Sequence, residues 1–332
     1  MAIQLLSAED AVHSNPVWHE LRRTGVTASE IPVILGLSRW DSPWALWHRK
    51  RGLIDDTDAG ESADWGRRLE PVIADAWAER HPDLVLERAG LYCHQEREWQ
   101  MATPDRLVYE SVNVSTIDAP GAVMPGSPVG LLEVKHPYSF NGWGEDGTDD
   151  IPAEYLAQCL WQLDVMDLDI CWLAAYTSHQ LRVYEIHREG NEDDLELMRS
   201  MAYEFLTREE PPPLDAHPAT IAGLKALHPS VEDREEWVPA DVADAYRRAR
   251  AELAAAEARA KQAEAELRAA MGPARYAVDP QGVPVASRSV YTRRGIDIKR
   301  LRADHPDIVA TYATESTVDR LYPRKDPNEQ DR

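Results

Sequence analysis

The stretch Val129-Gly130-Leu131-Leu132-Glu133-Val134-Lys135 decides the fold, because a short β-favouring run ends there in a Glu-x-Lys pair. Side chains alternate between the two faces of a strand, so Glu133 and Lys135 project to the same side. The segment therefore predicts a strand that presents one carboxylate and one ammonium group to a common site.

A second carboxylate comes from Pro104-Asp105, directly before the strand-like run Arg106-Leu107-Val108-Tyr109. Asp105 can reach the common site from a neighbouring strand. Two carboxylates, the carbonyl of Val134 and waters suit a hard cation such as Mg²⁺, with Mn²⁺ as a substitute. Such a cation polarises a phosphate and lowers the pKa of a bound water. Lys135 would position that water or help to deprotonate it, and would counter the developing charge. The alternative is structural: Glu-x-Lys is also common as a surface ion pair, and Pro-Asp as a turn.

From Pro16 to about Arg208 the pattern alternates between helix and strand, which predicts an α/β domain with one sheet. Thr27-Ala28-Ser29-Glu30 has capping-box spacing, and Ser42-Pro43 is an N-cap followed by a first-turn proline. The predicted helices are 31–35, one opening at 42–43, 62–80, 152–166 and 193–206. The predicted strands are 84–86, 90–93, 106–109 and 129–135, with a closing hairpin of 170–176 and 181–186. Residues 111–128 look like an exposed excursion between two strands.

Pro211-Pro212-Pro213 makes a stiff spacer, and the character of the chain changes after it. We place the domains at 1–215 and 216–332. The second contains a helical arm from Asp241 to Ala270, a hairpin over 276–291 and a basic stretch. The arm's apolar seam steps by threes and fours, as in a coiled coil. It could pack on its own domain or on a second molecule. The seam consists of Tyr246, Ala249, Leu253, Ala256, Ala260, Ala263, Leu267 and Ala270.

Composition limits the possible functions. The formal net charge of -22 and pI near 4.9 oppose nonspecific coating of nucleic acid, although a local basic lining could still grip it.

Cys93, Cys159 and Cys171 are too scattered for a disulfide framework, a zinc knuckle or a four-cysteine cluster, so we expect reduced core thiols. There is no secretory signal pattern and no membrane-length apolar run, so we expect a cytoplasmic protein of a bacterium or a phage-infected host.

Six motifs occur in a characteristic order and spacing, and together they resemble the phage lambda exonuclease and YqaJ-type recombinase family of PD-(D/E)xK nucleases. The resemblance covers about residues 16 to 190. The motifs are Trp18-His19-Glu20-Leu21-Arg22, Gly25-Val26-Thr27-Ala28-Ser29-Glu30, Trp65-Gly66 leading to Glu70, Ala102-Thr103-Pro104-Asp105, Leu132-Glu133-Val134-Lys135 and Tyr155-Leu156-Ala157-Gln158.

The resemblance implies a restriction-endonuclease-like mixed β-sheet flanked by helices, here with a C-terminal coiled-coil-like arm and hairpin. It implies that Asp105, Glu133 and Lys135 are catalytic. Glu70 matches an additional acidic group near the metal, and Gln158 a glutamine that supports the lysine or substrate. The implied metal ligands are Asp105, Glu133, Glu70 and the Val134 carbonyl.

The resemblance also implies a 5′-phosphate pocket formed by Arg22 and Ser29, with Thr103 as a hydroxyl beside the phosphate. Ser29 is expected in the first turn of a capped helix, where free N–H groups attract an anion. Arginine can grip a phosphate with two hydrogen bonds. Nearby, Tyr138, Phe140 and Trp143 could stack on an unpaired base or pack their own loop down.

The resulting expectation is an Mg²⁺-dependent 5′-to-3′ exonuclease that acts on double-stranded DNA ends and generates single strands for homologous recombination. The resemblance implies a homo-oligomeric ring and a single-strand annealing protein as partner. Two rival interpretations stay open. One is a PD-(D/E)xK endonuclease in restriction or repair, and the other is a noncatalytic DNA-end assembly protein that works through its heptad helix.

Overall fold

The computed structural model describes residues 2–56, 60–111, 126–315 and 318–323. Most of the predicted excursion, residues 112–125, lies outside this part of the chain. The described elements are β1 (Ile3–Leu6), α1 (Pro16–Thr24), β2 (Val26–Thr27), α2 (Ile31–Ile34), α3 (Pro43–Lys50), α4 (Gly60–Arg80), β3 (Leu84–Arg88), β4 (Leu91–Cys93), β5 (Gln100–Ala102), β6 (Arg106–Glu110), β7 (Gly130–Lys135), α5 (Ala153–Met166), β8 (Ile170–Thr177), β9 (Gln180–His187), α6 (Glu192–Thr207), α7 (Pro218–Leu227), α8 (Ala240–Met271), β10 (Tyr276–Val278), β11 (Pro284–Ser287), α9 (Ile298–Asp304) and α10 (Pro306–Thr311).

The central sheet has five strands in the order β3-β6-β7-β8-β9. Strands β7 and β8 are parallel, and every other neighbouring pair is antiparallel. A parallel pair needs a crossover connection, and α5 forms it between these two strands. β7 therefore lies in the middle of a mixed sheet.

Helices cover both faces of this sheet, because the side chains of β7 are apolar on both faces. Leu132 and Val134 pack with Trp77 of α4 on one face, whereas Leu131 joins the core formed by α2, α5 and α6 on the other. Because Glu133 shares its face with Leu131, its side chain points toward α5. The predicted class, an α/β fold with a mixed sheet flanked by helices, is confirmed.

The strand predicted at 90–93 does not belong to the central sheet. β4 instead joins a second sheet of order β1-β4-β5-β2. A side chain at Gly90 would collide with the backbone oxygen of Leu6, so glycine allows the close approach that pairs β4 with β1. The three cysteines are free and buried, as expected.

Of two predicted helix N-termini, the structure confirms one and corrects the other. The Ser42 hydroxyl accepts a hydrogen bond from the amide of Ala45 at 3.2 Å, and Pro43 opens α3, as predicted. In the other case α2 begins only at Ile31 and has four residues. Ser29 therefore precedes the helix rather than lying in its first turn. The amide of Thr27 donates to the Glu30 carboxylate at 2.9 Å, so the capping-box contact itself is formed.

The chain divides into two compact units, the first ending at Ser230 and the second beginning at Val231. α7, which follows the proposed boundary after residue 215, belongs to the first unit. The Thr220 hydroxyl donates to the Ser42 hydroxyl at 2.7 Å, and Gly223 lies against Trp44. α7 is thus anchored to α3.

The second unit contains α8, the hairpin of β10 and β11, α9 and α10. α8 is 32 residues long, carries the predicted heptad seam and has no buried residue. The hairpin falls within the predicted 276–291 segment. In the described segments, no helix combines the length and apolarity that a membrane crossing requires.

Candidate active site

Strands β6 and β7 bring the three predicted catalytic residues together. Arg106 lies opposite Leu132, which places Asp105 beside the end of β7. A carboxylate oxygen of Asp105 accepts a hydrogen bond from the Val134 amide at 2.8 Å. The Lys135 ammonium donates to Glu133 at 2.6 Å. Two carboxylates and one ammonium group therefore meet at one edge of the central sheet.

Helix α5 holds Glu133 from the other side with two glutamines. The Gln158 amide donates to one carboxylate oxygen at 2.6 Å, and the Gln162 amide donates to the other at 2.8 Å. Gln158 was expected from the family resemblance to support the lysine or the substrate, and in the structure it contacts Glu133 instead. Gln162 was not, although its spacing of four from Gln158 places both on one helix face and could have suggested it. Glu133 is 2% exposed, so these donors fix a nearly buried carboxylate.

The electrostatics of Asp105 indicate a position that favours a nearby cation. Burial raises the pKa of Asp105 well above its usual range, and the negative charges of Glu133 and Glu70 raise it further. The charge of Lys135 and the Val134 amide oppose this shift only in part. Bringing a divalent cation next to Asp105 would relieve the repulsion between these carboxylates.

Lys135 remains protonated in this setting. Burial alone would lower the pKa of Lys135, but the charges of Glu133 and Asp105 and the hydrogen bond to Glu133 outweigh it, so the pKa is raised. The ammonium group also lies 5.6 Å from the ring centre of Tyr155. Lys135 is therefore a fixed cation and donor rather than a ready proton acceptor while both carboxylates are charged.

Glu70 lies on α4, where the Arg106 guanidinium donates to it at 2.6 Å. This ion pair restrains the side chain, yet the charge of Glu70 is close enough to raise the pKa of Asp105. Glu70 is thus held at the edge of the acidic site by its ion pair with Arg106. The sequence did not single out Arg106 as a site residue.

Whether a metal fits can be judged from the donors. Among the residues that the structure describes, no group of three or more His, Cys, Asp or Glu side chains is arranged as a ready-made metal cage. Asp105 and Glu133 supply two oxygen-bearing carboxylates whose mutual repulsion raises the pKa of Asp105. Hard cations that keep several waters require few protein ligands. The donor set therefore suits Mg²⁺ held by these two carboxylates, the Val134 carbonyl and waters.

Arg22 and Ser29 meet in a separate pocket. The Arg22 guanidinium donates to the Ser29 hydroxyl at 3.2 Å and to the Thr27 hydroxyl at 3.3 Å. It also stacks over Trp18, with 4.3 Å between the guanidinium carbon and the ring centre. Ser29 is exposed. These contacts hold an arginine and an accessible hydroxyl side by side at a cavity of about 360 Å³.

A buried ion pair contributes to the lining of this pocket. The Lys50 ammonium contacts Glu30 at 2.8 Å and donates to the backbone oxygens of Arg22 and Gly25, each at 2.6 Å. Burial alone would raise the pKa of Glu30, but Lys50 and Arg22 lower it. Over the whole lining, four cations face three carboxylates, which leaves one formal positive charge. The cations are Arg22, Arg23, Arg49 and Lys50, and the carboxylates are Glu30, Asp41 and Asp56. Lys50 was missed because its partners are distant in sequence.

The remaining candidates are placed as follows. Thr103 is half-buried between β5 and β6, next to the segment that carries Asp105. Phe140 and Trp143 pack against the core, with Trp143 5.2 Å from Tyr155 between ring centres, so they hold their loop down. Tyr138, by contrast, is fully exposed.

Comparison with solved structures gives limited overall similarity. The alkaline exonuclease LHK-Exo from Laribacter hongkongensis is 18% identical, with 57% of this chain and 90% of that chain covered and a TM-score of 0.42. A phage-related exonuclease from Haemophilus somnus 129PT is 12% identical, with 57% and 96% covered and a TM-score of 0.37. Because these scores are low, the chemistry of the site is inferred from its own residues.

Sequence comparison is more specific. The uncharacterized protein YqaJ of Bacillus subtilis (strain 168) is 25% identical over 162 residues, which are 48% of this chain and 44% of that protein. The chain thus spans less than half the length of this curated relative. A family model matches residues 17–169, the segment that contains both the acidic site and the Arg22 pocket. That segment is similar to the YqaJ-like viral recombinase domain, which confirms the resemblance drawn from the sequence.

Proposed function

We propose that this chain is a metal-dependent deoxyribonuclease that degrades double-stranded DNA from its 5′ ends. The observation that carries the proposal is the meeting of Asp105, Glu133 and Lys135 at the end of β7, with Lys135 2.6 Å from Glu133. The match of residues 17–169 to a viral recombinase domain supports DNA as the substrate and recombination as the setting.

Asp105, Glu133 and the Val134 carbonyl would hold Mg²⁺, with Mn²⁺ as a substitute. When bound, the cation supplies Lewis-acid polarisation of the phosphate and a more acidic water. Gln158 and Gln162 keep Glu133 in place, which preserves the geometry that phosphodiester hydrolysis needs. Lys135 would orient the attacking water and counter the negative charge that develops on the phosphate.

The 5′-to-3′ polarity is proposed from the second pocket. Arg22, supported by the Glu30–Lys50 pair, offers a positive group beside the Ser29 hydroxyl, which suits a terminal phosphate. An enzyme that cuts within a strand has no need of a pocket for a terminal phosphate. The pocket therefore favours the exonuclease over the restriction or repair endonuclease.

Oligomerisation and a partner are part of the same proposal. A net charge of -22 is unfavourable for binding DNA on an open surface, whereas a homo-oligomeric ring can combine an acidic exterior with a basic bore. The exposed seam of α8 is a second surface available for assembly. A single-strand annealing protein would bind the single DNA strand that remains after digestion.

One set of digestions tests metal, substrate and polarity together. Linear duplexes with 5′-phosphate or 5′-hydroxyl ends, and a closed circle, are incubated with Mg²⁺ or with EDTA. We expect degradation of the phosphorylated linear duplex in Mg²⁺, slower loss of the hydroxyl end, and an intact circle. Cleavage of the circle would favour the endonuclease, and no cleavage with Mg²⁺ or Mn²⁺ would favour the noncatalytic assembly protein.

A further inference from the structure

We infer that the Arg22 pocket accepts the whole 5′-terminal nucleotide, with Trp40 stacking on its base. The inference rests on the proposed function and adds to it a base-contacting residue. Trp40 lines the same cavity as Arg22 and Ser29, yet 77% of its surface is exposed. A large aromatic ring is thus presented to solvent beside the group suited to a phosphate.

The size of the cavity favours more than a phosphate. Its volume of about 360 Å³ lies within the range of roughly 300–1,000 Å³ that is typical of sites for small organic ligands. A phosphate group alone fills only part of such a space. The remaining volume is flanked by Trp18 and His19, whose ring centres are 4.9 Å apart, and by Trp40. The lining also contains the carboxylates Glu30, Asp41 and Asp56, which contact Lys50, Arg49 and His19 respectively. Arg22 and the aromatic faces are therefore the groups that suit a nucleotide.

The loop that carries Trp40 is held in place by its own backbone. The amides of Leu37 and Ser38 donate to the Pro32 carbonyl at 2.9 and 3.1 Å. The Ser38 hydroxyl then accepts from the amides of Trp40 and Asp41 at 3.1 and 3.2 Å. Because the backbone is already ordered, little conformational entropy is lost when a base stacks on the ring.

Arg39 connects this loop to the helix of the acidic site. Its guanidinium donates to Glu154 of α5 at 2.7 Å, one turn before Gln158, which holds Glu133. A nucleotide seated on Trp40 is therefore positioned by an element joined to the catalytic helix. This arrangement suits an enzyme that must fix the strand end relative to the phosphodiester it cuts.

A protein partner fits the surface less well. Leu37, 39% exposed, is the other exposed large apolar side chain of the loop, and Arg39 lies between the two. Two apolar side chains separated by a charge form too small a patch for a stable protein interface. One planar base on one indole ring matches what the loop presents.

Binding without cleavage tests the inference. The full chain is titrated in EDTA with a duplex bearing a 5′-phosphate and 2-aminopurine as its terminal base, and with a duplex whose terminal nucleotide is abasic. Wild type is compared with Trp40→Ala, Trp40→Phe and the control Trp237→Ala, which removes a 95% exposed tryptophan from the second unit. All replaced side chains are exposed, so the variants should fold.

We expect Trp40→Ala to weaken binding of the complete end by roughly tenfold or more and to reduce the 2-aminopurine quenching. Trp40→Phe should retain most of the affinity, and the control should match wild type. On the abasic end, wild type and Trp40→Ala should bind equally. An equal loss on both ends would overturn the stacking role while leaving the nuclease proposal intact. If wild type bound neither end in EDTA but still degraded the phosphorylated duplex in Mg²⁺, the inference alone would fail. Absence of both would remove the proposed function as well.

Discussion

The substitution Asp164→Asn tests a buried carboxylate that is surrounded by three arginines. The Asp164 side chain has no solvent exposure, and it lies on α5 two residues after Gln162. Its carboxylate accepts hydrogen bonds from three arginines and one glutamine. These are Arg199 at 2.5 and 2.8 Å, Gln100 at 2.6 Å, Arg97 at 3.2 Å and Arg188 at 3.3 Å.

The expected cost follows from what the substitution leaves behind. Removing one partner of a buried ion pair costs about 3–5 kcal/mol, because the other charge stays buried without compensation. Here the arginines are 26%, 27% and 30% exposed, so water can solvate them again in part. We therefore expect a loss near the lower end, about 3 kcal/mol in the free energy of unfolding.

The pH dependence gives a second check. Burial alone would raise the pKa of Asp164, but hydrogen bonds from Arg199 and Gln100 and the arginine charges lower it. An acid with a lowered folded-state pKa contributes stability that is present above its unfolded pKa and is lost as pH falls through the folded value. The difference between wild type and Asp164→Asn should therefore be constant near neutral pH and shrink in acid.

Urea unfolding followed by tryptophan fluorescence measures this loss. Ten of the eleven tryptophans precede Ser230, so the signal reports mainly on the first unit. The matched control is Asp169→Asn. Asp169 is exposed and lies between α5 and β8, so its replacement should change stability little. A loss for Asp164→Asn no larger than that of the control would refute the reasoning.

Three further predictions concern the two sites. Because burial and the charges of Glu133 and Glu70 raise the pKa of Asp105, Mg²⁺ must displace a proton, so affinity should rise with pH until that pKa is passed. Calorimetry in two buffers of different ionisation enthalpy should show proton release in wild type and none in Asp105→Asn. Gln162→Leu removes one donor to Glu133. A hydrogen bond to a charged group is worth roughly 1.5–3 kcal/mol, so kcat should fall by about 10- to 150-fold. A wild-type kcat in the folded variant would count against the positioning role. Arg22→Gln should abolish the preference for 5′-phosphate over 5′-hydroxyl ends without affecting Mg²⁺ binding. A preserved preference would refute the assignment of this pocket to the 5′ phosphate.

The sequence predicted best where a local pattern determines the structure. The Glu-x-Lys strand became β7, Ser42-Pro43 became the N-terminus of α3, and the closing hairpin became β8 and β9. These features depend on residues a few positions apart, so periodicity and capping chemistry are sufficient. The match of Asp105 to this site came from the order of motifs rather than from periodicity.

The parts that sequence could not supply depend on long-range contacts. β2 has only two residues and pairs with β5, so no period can be detected in it. Lys50 contacts Glu30 from helix α3, and Gln162 contacts Glu133, which lies 29 residues earlier in the chain. The start of α2 was also misplaced. The capping-box pattern put Ser29 in the first turn, whereas α2 begins at Ile31, although its short length was predicted.

The digestion rate of Lys135→Ala tests the central claim most directly. The measurement compares wild type, Lys135→Ala and the control Lys225→Ala, an exposed lysine on α7, on a 5′-phosphorylated linear duplex in Mg²⁺. We predict that Lys135→Ala loses about 10²–10⁴-fold in kcat, with folding and DNA-end binding intact, while the control retains full activity. A folded Lys135→Ala protein that digests DNA at the wild-type rate would contradict the proposed chemistry.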